Sequence, residues 1–222
     1  MNHTLPTRRD FNTLCLAGLT AGAGLMTLGG PALAQAAPAE GRQYKRLAQP
    51  LPVSANGKVE VVEFFWYGCP HCYALEPMVE QWAAKLPADV AFRRVPAAFT
   101  PQYEFHQKVF YALEAMGQVH AVHRKLFDAI HQQKRRMGTE DEVAAFVATL
   151  GVDATKFKDM LKSFSVIGKA RQARSLADGY RIEGVPAIGV HGRYLTSPSM
   201  VGGNERTFEV VDFLVAQARQ SL

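Results

Sequence analysis

Two cysteines three positions apart, in the string Cys69-Pro70-His71-Cys72, are the residues of this chain whose types and spacing best suit chemistry. Such a pair either opens and closes a redox-active disulfide or supplies two ligands to zinc. A structural zinc site takes four ligands, and the other candidates are the loosely spaced His120 and His123. The third cysteine, Cys15, falls in an N-terminal targeting segment, and two cysteines cannot staple a chain of 222 residues. Redox exchange is the expected chemistry, with no metal and no cofactor.

The flanking elements give the reason for reactivity. Val59 to Phe65 is an apolar run of strand length that stops at Gly68, and Leu75, Met78, Val79 and Trp82 then recur at helical spacing. The thiols therefore fall where a strand hands over to a helix, beside the unpaired N–H groups and positive pole of the first turn. Cys69 is the expected thiolate. Pro70 suits that turn because its missing N–H is not needed there, and His71 adds positive charge or a donor beside Cys69. Cys72 lies over the same turn, within disulfide reach but more buried and less acidic.

Two acids accompany the pair. Glu63 interrupts the apolar run, and burial raises a carboxyl pKa, so Glu63 is a candidate proton shuttle for Cys72. The plainer alternatives are an accessible strand face or pairing with Lys58 or Lys85. Glu76, four residues after Cys72, reads as charge tuning or as a surface acid.

With 48% hydrophobic residues the chain can bury a substantial core, as one domain or as one domain with an insertion. The formal charge of +5 is modest, and the basic run Lys134-Arg135-Arg136 reads as a solvated helix end stopped by Gly138. No basic motif interleaved with aromatics is present, so nucleic acid is not an expected partner. Residues 1–34 read as a cleaved export signal: Thr7-Arg8-Arg9-Asp10-Phe11 resembles the twin-arginine motif, Leu14 to Leu28 is apolar and Gly/Ala-rich, and Ala32-Leu33-Ala34 fits a cleavage site. Export places the remainder in an oxidising compartment.

Residues 35–43 are expected to be a loose arm before a short edge strand. Val90 to Val95 alternates like a strand, which makes a β-α-β unit with the cysteines at its first strand-helix junction. Helical spacing then marks 101–116, 119–134, 139–150 and 153–163, with a fifth helix near 167–180 and a last one from Thr207 to Ala218. Between these two, Val185 to Val190 reads as a strand, and His191-Gly192 as a tight turn into Arg193-Tyr194-Leu195.

Glu63-Phe64-Phe65, Cys69-Pro70-His71-Cys72-Tyr73, Glu76 and Gly184-Val185-Pro186-Ala187, with an all-helical stretch between two β parts, together resemble the DsbA family of thiol:disulfide oxidoreductases. The resemblance implies an α/β thioredoxin fold with an inserted all-helical domain. Residues 44–97 and 166–222 would form the thioredoxin-like part and 98–165 the insertion. It implies a cis bond before Pro186, packed against the disulfide, that leaves the Val185 backbone free to pair with a client peptide. Read without the family, Pro186 is a plain turn proline before an edge strand. The family also carries an acid at the spacing of Glu63, which favours the shuttle. The activity implied is that of a monomeric periplasmic enzyme which passes its Cys69–Cys72 disulfide to reduced, unfolded exported polypeptides. Clients would lie in a groove around Val185, Pro186 and His71, and a DsbB-type quinone-linked membrane oxidase would restore the disulfide. The alternatives are a disulfide isomerase or reductase on the same fold, and a groove-binding chaperone with a structural disulfide.

Overall fold

Val59–Phe65 (β2) is buried along its whole length, as a strand without polar alternation must be when both faces of its sheet are covered. The computed structural model describes residues 37–221, so the expected export signal at 1–34 lies outside the described residues. Around β2 the chain runs Lys45–Arg46 (β1), then β2, Pro70–Ala83 (α1), Val90–Pro96 (β3), Pro101–Ala115 (α2), Val119–His131 (α3), Glu140–Ala148 (α4) and Ala154–Leu161 (α5). It finishes with Phe164–Tyr180 (α6), Ala187–Val190 (β4), Tyr194–Thr196 (β5), Pro198–Val201 (α7) and Asn204–Arg219 (α8). The sheet order is β1-β5-β4-β2-β3, with β2 parallel to β3 and the other pairs antiparallel. This is a thioredoxin-like α/β fold with a run of helices, α2 to α5, entered after β3.

Alternation along β2 divides the core between its two faces. Val62 and Phe64 join a cluster that continues through Val109, Leu113, Leu126 and Phe157 of the helical run, whereas Val59 and Val61 pack with Leu75 and Val79 of α1 and Val211 and Leu214 of α8. Phe65, at the end of β2, ties the first cluster together: its ring lies 5.2 Å from those of Tyr67 and His123, 5.4 Å from Phe110 and 5.9 Å from Phe127. Aromatic contacts of this kind add about 0.5–1.5 kcal/mol each beyond the area they bury. They fix α2 and α3 over the end of the strand that leads into the cysteines.

Several local details differ from the sequence expectation. The segment 37–43 is fastened and not loose: the Gly41 N–H donates to the Tyr44 carbonyl at 2.8 Å, and Thr196 Oγ1 donates to the Gln43 carbonyl at 2.7 Å. Helix α3 ends at His131, short of the basic run, where Lys134 and Met137 adopt left-handed φ values of 57° and 47°. Burial of Met137 draws the chain inward there. Gly138 stops no helix; its N–H donates to Glu142, whose carboxylate also forms the capping box with Thr139 at the start of α4. Helix α6 begins at Phe164 because Ser163 caps it, and the short α7, capped by Ser197, has no counterpart in the expected elements. At the expected tight turn, His191 and Gly192 both lie in the left-handed region, with φ of 50° and 63°. A Cβ at Gly192 would sit 2.4 Å from the Leu51 carbonyl oxygen, so this turn has room for glycine alone.

Candidate active site

The turn between β2 and α1 is built by a close approach. A Cβ at Gly68 would fall 2.3 Å from the Trp66 ring, which is itself stacked on Tyr103 at 3.8 Å. Glycine therefore lets the indole lie flat against the backbone just before the first cysteine. Cys69 is the N-cap of α1 and Pro70 occupies the first helical turn. The Cys72 N–H donates to Cys69 Sγ at 3.4 Å, so a thiol takes the place that a serine or aspartate oxygen usually holds at a helix start. Both cysteines are free thiols.

The environment drives the two thiols in opposite directions. The Cys69 thiol is lowered to about 6, chiefly by the side chain of Cys72, then by the backbone N–H groups of Cys72 and His71, and last by the charge of His71; burial acts against all of these. The Cys72 thiol is pushed far up, first by burial and then by its neighbour Cys69, with Glu63 contributing. Cys69 keeps 7% of its surface and Cys72 none, so an incoming thiolate reaches only Cys69.

Opposite the cysteines, the Val185–Pro186 peptide bond is cis, and Cys69 Sγ donates to the Val185 carbonyl at 3.4 Å. Val185, Pro186 and the exposed His71 line a groove of about 500 Å³ that continues along Ile182, Thr196 and Met200. The first cysteine therefore meets the carbonyl of the residue before Pro186, and Pro186 itself lines the groove.

Beneath Cys72 lies a buried ionic cluster. Glu63 and Glu76 are each 1% exposed, and one guanidinium serves both: Arg94 Nε is 3.2 Å from Glu63 Oε2, and Arg94 Nη2 donates to Glu76 Oε1 at 2.6 Å. The Glu63 contact lies off the line that a hydrogen bond needs, and neither Glu63 oxygen has a hydrogen-bonding partner among the described residues. Burial raises both carboxyls and the charge of Glu76 raises Glu63 further, while Arg94 acts against burial in each case. The pairing differs from both partners considered for Glu63: Lys58 and Lys85 stand aside, and Arg94 is its register neighbour across the parallel pair β2–β3. Glu76 is no surface acid but part of the same cluster.

Two residues to which the sequence assigns no redox role, His123 and Tyr73, complete the site. His123 was weighed only as a zinc ligand; its Nδ1 is 2.9 Å from the Tyr67 hydroxyl and its Nε2 is 3.4 Å from Glu76 Oε1. Burial holds this imidazole neutral and pushes the Tyr67 phenol up. Tyr73, just after the second cysteine, donates to Asp128 at 2.9 Å and stacks on His131, whose Nε2 meets the Tyr67 carbonyl at 2.8 Å. Among the described residues no group of three His, Cys, Asp or Glu side chains is placed to hold a metal, and no helix is long and apolar enough to cross a membrane.

Residues 92–215 match the family model of the DSBA-like thioredoxin domain. The chain is 44% identical over 211 residues to the thiol:disulfide interchange protein DsbA of Azotobacter vinelandii, covering 94% of this chain and 98% of the relative. A match of that length runs through both cysteines. The chain belongs to the DsbA family. Another DsbA, that of Pseudomonas aeruginosa, is 45% identical over 179 residues, covering 81% of this chain and 85% of the relative. The crystal structure of Pseudomonas aeruginosa DsbA superposes with a TM-score of 0.79 at 44% identity, covering 82% of this chain and 94% of that one. As a member of the DsbA family the chain is a protein-disulfide oxidoreductase on a thioredoxin-like fold.

Proposed function

We propose that the protein works as an oxidant: in the periplasm it donates the Cys69–Cys72 disulfide to reduced, unfolded exported polypeptides. The observation that carries this reading is the unlike placing of two thiols three residues apart: Cys69 sits at the helix N-cap, reachable and accepting the Cys72 N–H, with its thiol lowered, whereas Cys72 is wholly buried, with its thiol pushed up. A client thiolate attacks Cys69 Sγ, the bond to Cys72 breaks, and the electron pair leaves on Cys72, which takes a proton from the acid beneath it, Glu63. The client's second thiolate then attacks its own sulfur in the mixed disulfide, and Cys69 departs as a thiolate. Departure is easy because that thiolate is stabilised, and the same stabilisation makes the disulfide oxidising.

Each remaining residue has a place in this reading. Pro70 and His71 shape the N-terminal turn and its charge, and Glu76 sets the charge around Glu63. Val185, Pro186 and His71 receive the client backbone in the groove. Residues 44–97 and 166–222 form the catalytic part, and the helical stretch 98–165 covers one side of it. The two electrons gained leave through a DsbB-type membrane oxidase that passes them to quinone.

The deciding experiment is the redox equilibrium of the Cys69–Cys72 pair against glutathione buffers. An oxidase is expected at about −150 to −100 mV, whereas about −270 mV, the thioredoxin end of the scale, would replace this reading with a reductase or isomerase.

A further inference from the structure

Among the described residues, Phe99 and Phe164 are the large apolar side chains left exposed, at 45% and 86%. Phe164 opens α6, whereas Phe99 is joined to the reacting cysteine by a row of rings. The Cys69 N–H donates to the Trp66 carbonyl at 3.0 Å, the Trp66 ring stacks on Tyr103, and Phe99 meets Tyr103 edge-on at 5.4 Å. The Tyr103 phenol is raised by burial and then by the charges of Cys69 and Cys72, so both sulfurs lie within its electrostatic reach. None of the three rings lines the groove at Val185 and Pro186.

Local structure does not account for Phe99. It precedes Thr100, the N-cap of α2, a position from which an apolar side chain usually packs on the fourth residue of the helix. Here that residue is Glu104, which pairs instead with Lys108 and Arg174. Phe99 touches Tyr103 in a T-shaped contact and keeps much of its ring in water, where any apolar partner stabilises it in proportion to the area covered. The element that carries the rings is fixed: Thr100 Oγ1 accepts from the Tyr103 N–H, and Pro101 holds the first turn.

A client whose cysteine is joined to Cys69 runs past it in both directions. One arm lies along the groove, and the other leaves on the side of Trp66 and α2. We propose that Phe99 and Tyr103 form a second client subsite, a shelf that selects an aromatic or long aliphatic side chain on the arm of the client that leaves the groove. The inference rests on the reading of reduced polypeptides as clients. An extended chain advances about 3.3 Å per residue, which puts the shelf within about three positions of the client cysteine. An unfolded polypeptide exposes such side chains and a folded one buries them, so the shelf favours clients that have yet to fold. The contact is noncovalent and leaves the thiol chemistry at Cys69 unaltered.

The test uses the Cys72→Ser variant, in which a single-cysteine peptide stays joined to Cys69, and measures how far each peptide displaces glutathione from Cys69 at equilibrium. The peptides differ by Phe, Leu or Ser at each of three positions before and after the cysteine. Phe, and more weakly Leu, is expected to hold a peptide about three- to tenfold better than Ser, from one arm only, and F99S should remove that preference. Comparing each pair of peptides in both proteins cancels the intrinsic reactivity of the peptide thiol. F164S, which removes the other exposed phenylalanine, should leave the preference intact, and its loss there as well overturns the shelf. So does equal exchange of the Phe and Ser peptides, or a preference that survives in F99S. A wild-type dimer that F99S dissolves would give the ring to a second copy of the chain and likewise overturn the client assignment. If peptides are held better than glutathione irrespective of Phe99, the shelf alone fails; if none is held better than glutathione, the reading of polypeptides as clients fails with it.

Discussion

The rim around Cys69 and the floor under Cys72 belong to one helical turn, yet they treat the same functional group in opposite ways. At the rim, backbone N–H groups and a neighbouring sulfur point at Cys69 and lower its thiol. At the floor, full burial raises the Cys72 thiol and two carboxyls together, with one guanidinium between the acids. The rim favours a charge on its sulfur, and the floor favours protonated groups; in the proposed mechanism that stored proton goes to Cys72. In the proposed mechanism a disulfide bridging two such surroundings breaks with a preferred polarity, because attack and departure fall on different sulfurs.

The largest effect expected from this contrast comes from exchanging the cysteines one at a time. Cys69→Ser should abolish mixed-disulfide formation altogether. Cys72→Ser should leave Cys69 able to exchange with disulfides but remove the internal thiol that releases trapped partners, so stable adducts should accumulate. Expressed in cells and recovered from the periplasmic fraction, Cys72→Ser is expected to carry exported polypeptides and a quinone-linked membrane protein, identified by mass spectrometry. Equal trapping through either cysteine would erase the polarity and the contrast with it.

Next in size is the stability held in the floor. The folded-state pKa of Glu63 is raised above the value of an unfolded chain, chiefly by burial, so folding favours its protonated form. Its contribution is fully present below the ordinary carboxyl range and is lost as pH rises through the raised value. Glu63→Gln removes this ionisation and leaves Arg94 to neutralise Glu76 alone. The variant should be more stable than wild type at pH 8, by about 1–3 kcal/mol, with the two converging towards pH 5. Thermal unfolding at the two pH values checks this. A variant with the wild-type pH slope would show that Arg94 already compensates both acids.

How much of each region was legible in the sequence follows from the range of the interactions that build it. The rim is local: strand, glycine, Cys69-Pro70-His71-Cys72 and helix are contiguous, so periodicity and end effects identify the junction directly. Pro186 is distant in sequence, and the four-residue string around it became informative only through the family resemblance. The floor is not local. Glu63 was conspicuous as an acid in an apolar run, but its partner depends on the register of a parallel pair, Glu63 against Arg94, which no pattern within either strand fixes. His123 sits on α3 at a position whose spacing reads simply as core, and only the packing of α3 against α1 and Tyr67 gives it a polar task. Helix α3 ends before its basic run for a related reason: a buried Met137 bends the chain back, and its carbonyl accepts from His106 at 2.8 Å, a long-range contact that no local glycine signals.

The smallest effect sharpens the rim itself. His71 is the residue that draws the eye between the cysteines, but its charge is the last of the influences that lower Cys69, behind the Cys72 side chain and two backbone N–H groups. His71→Ala keeps both N–H groups, the helix N-terminus and Cys72. It should therefore raise the Cys69 thiol by about one unit or less, followed by the ultraviolet absorbance of the thiolate on titration. Because this change touches only the rim, the pH slope of stability set by Glu63 should be the same in His71→Ala and wild type. Return of Cys69 to the ordinary thiol range would mean that an exposed side chain, and not the helix end, makes the thiolate. The rim would then be a surface feature open to solvent screening, where the contrast with the floor requires it to be fixed in the backbone.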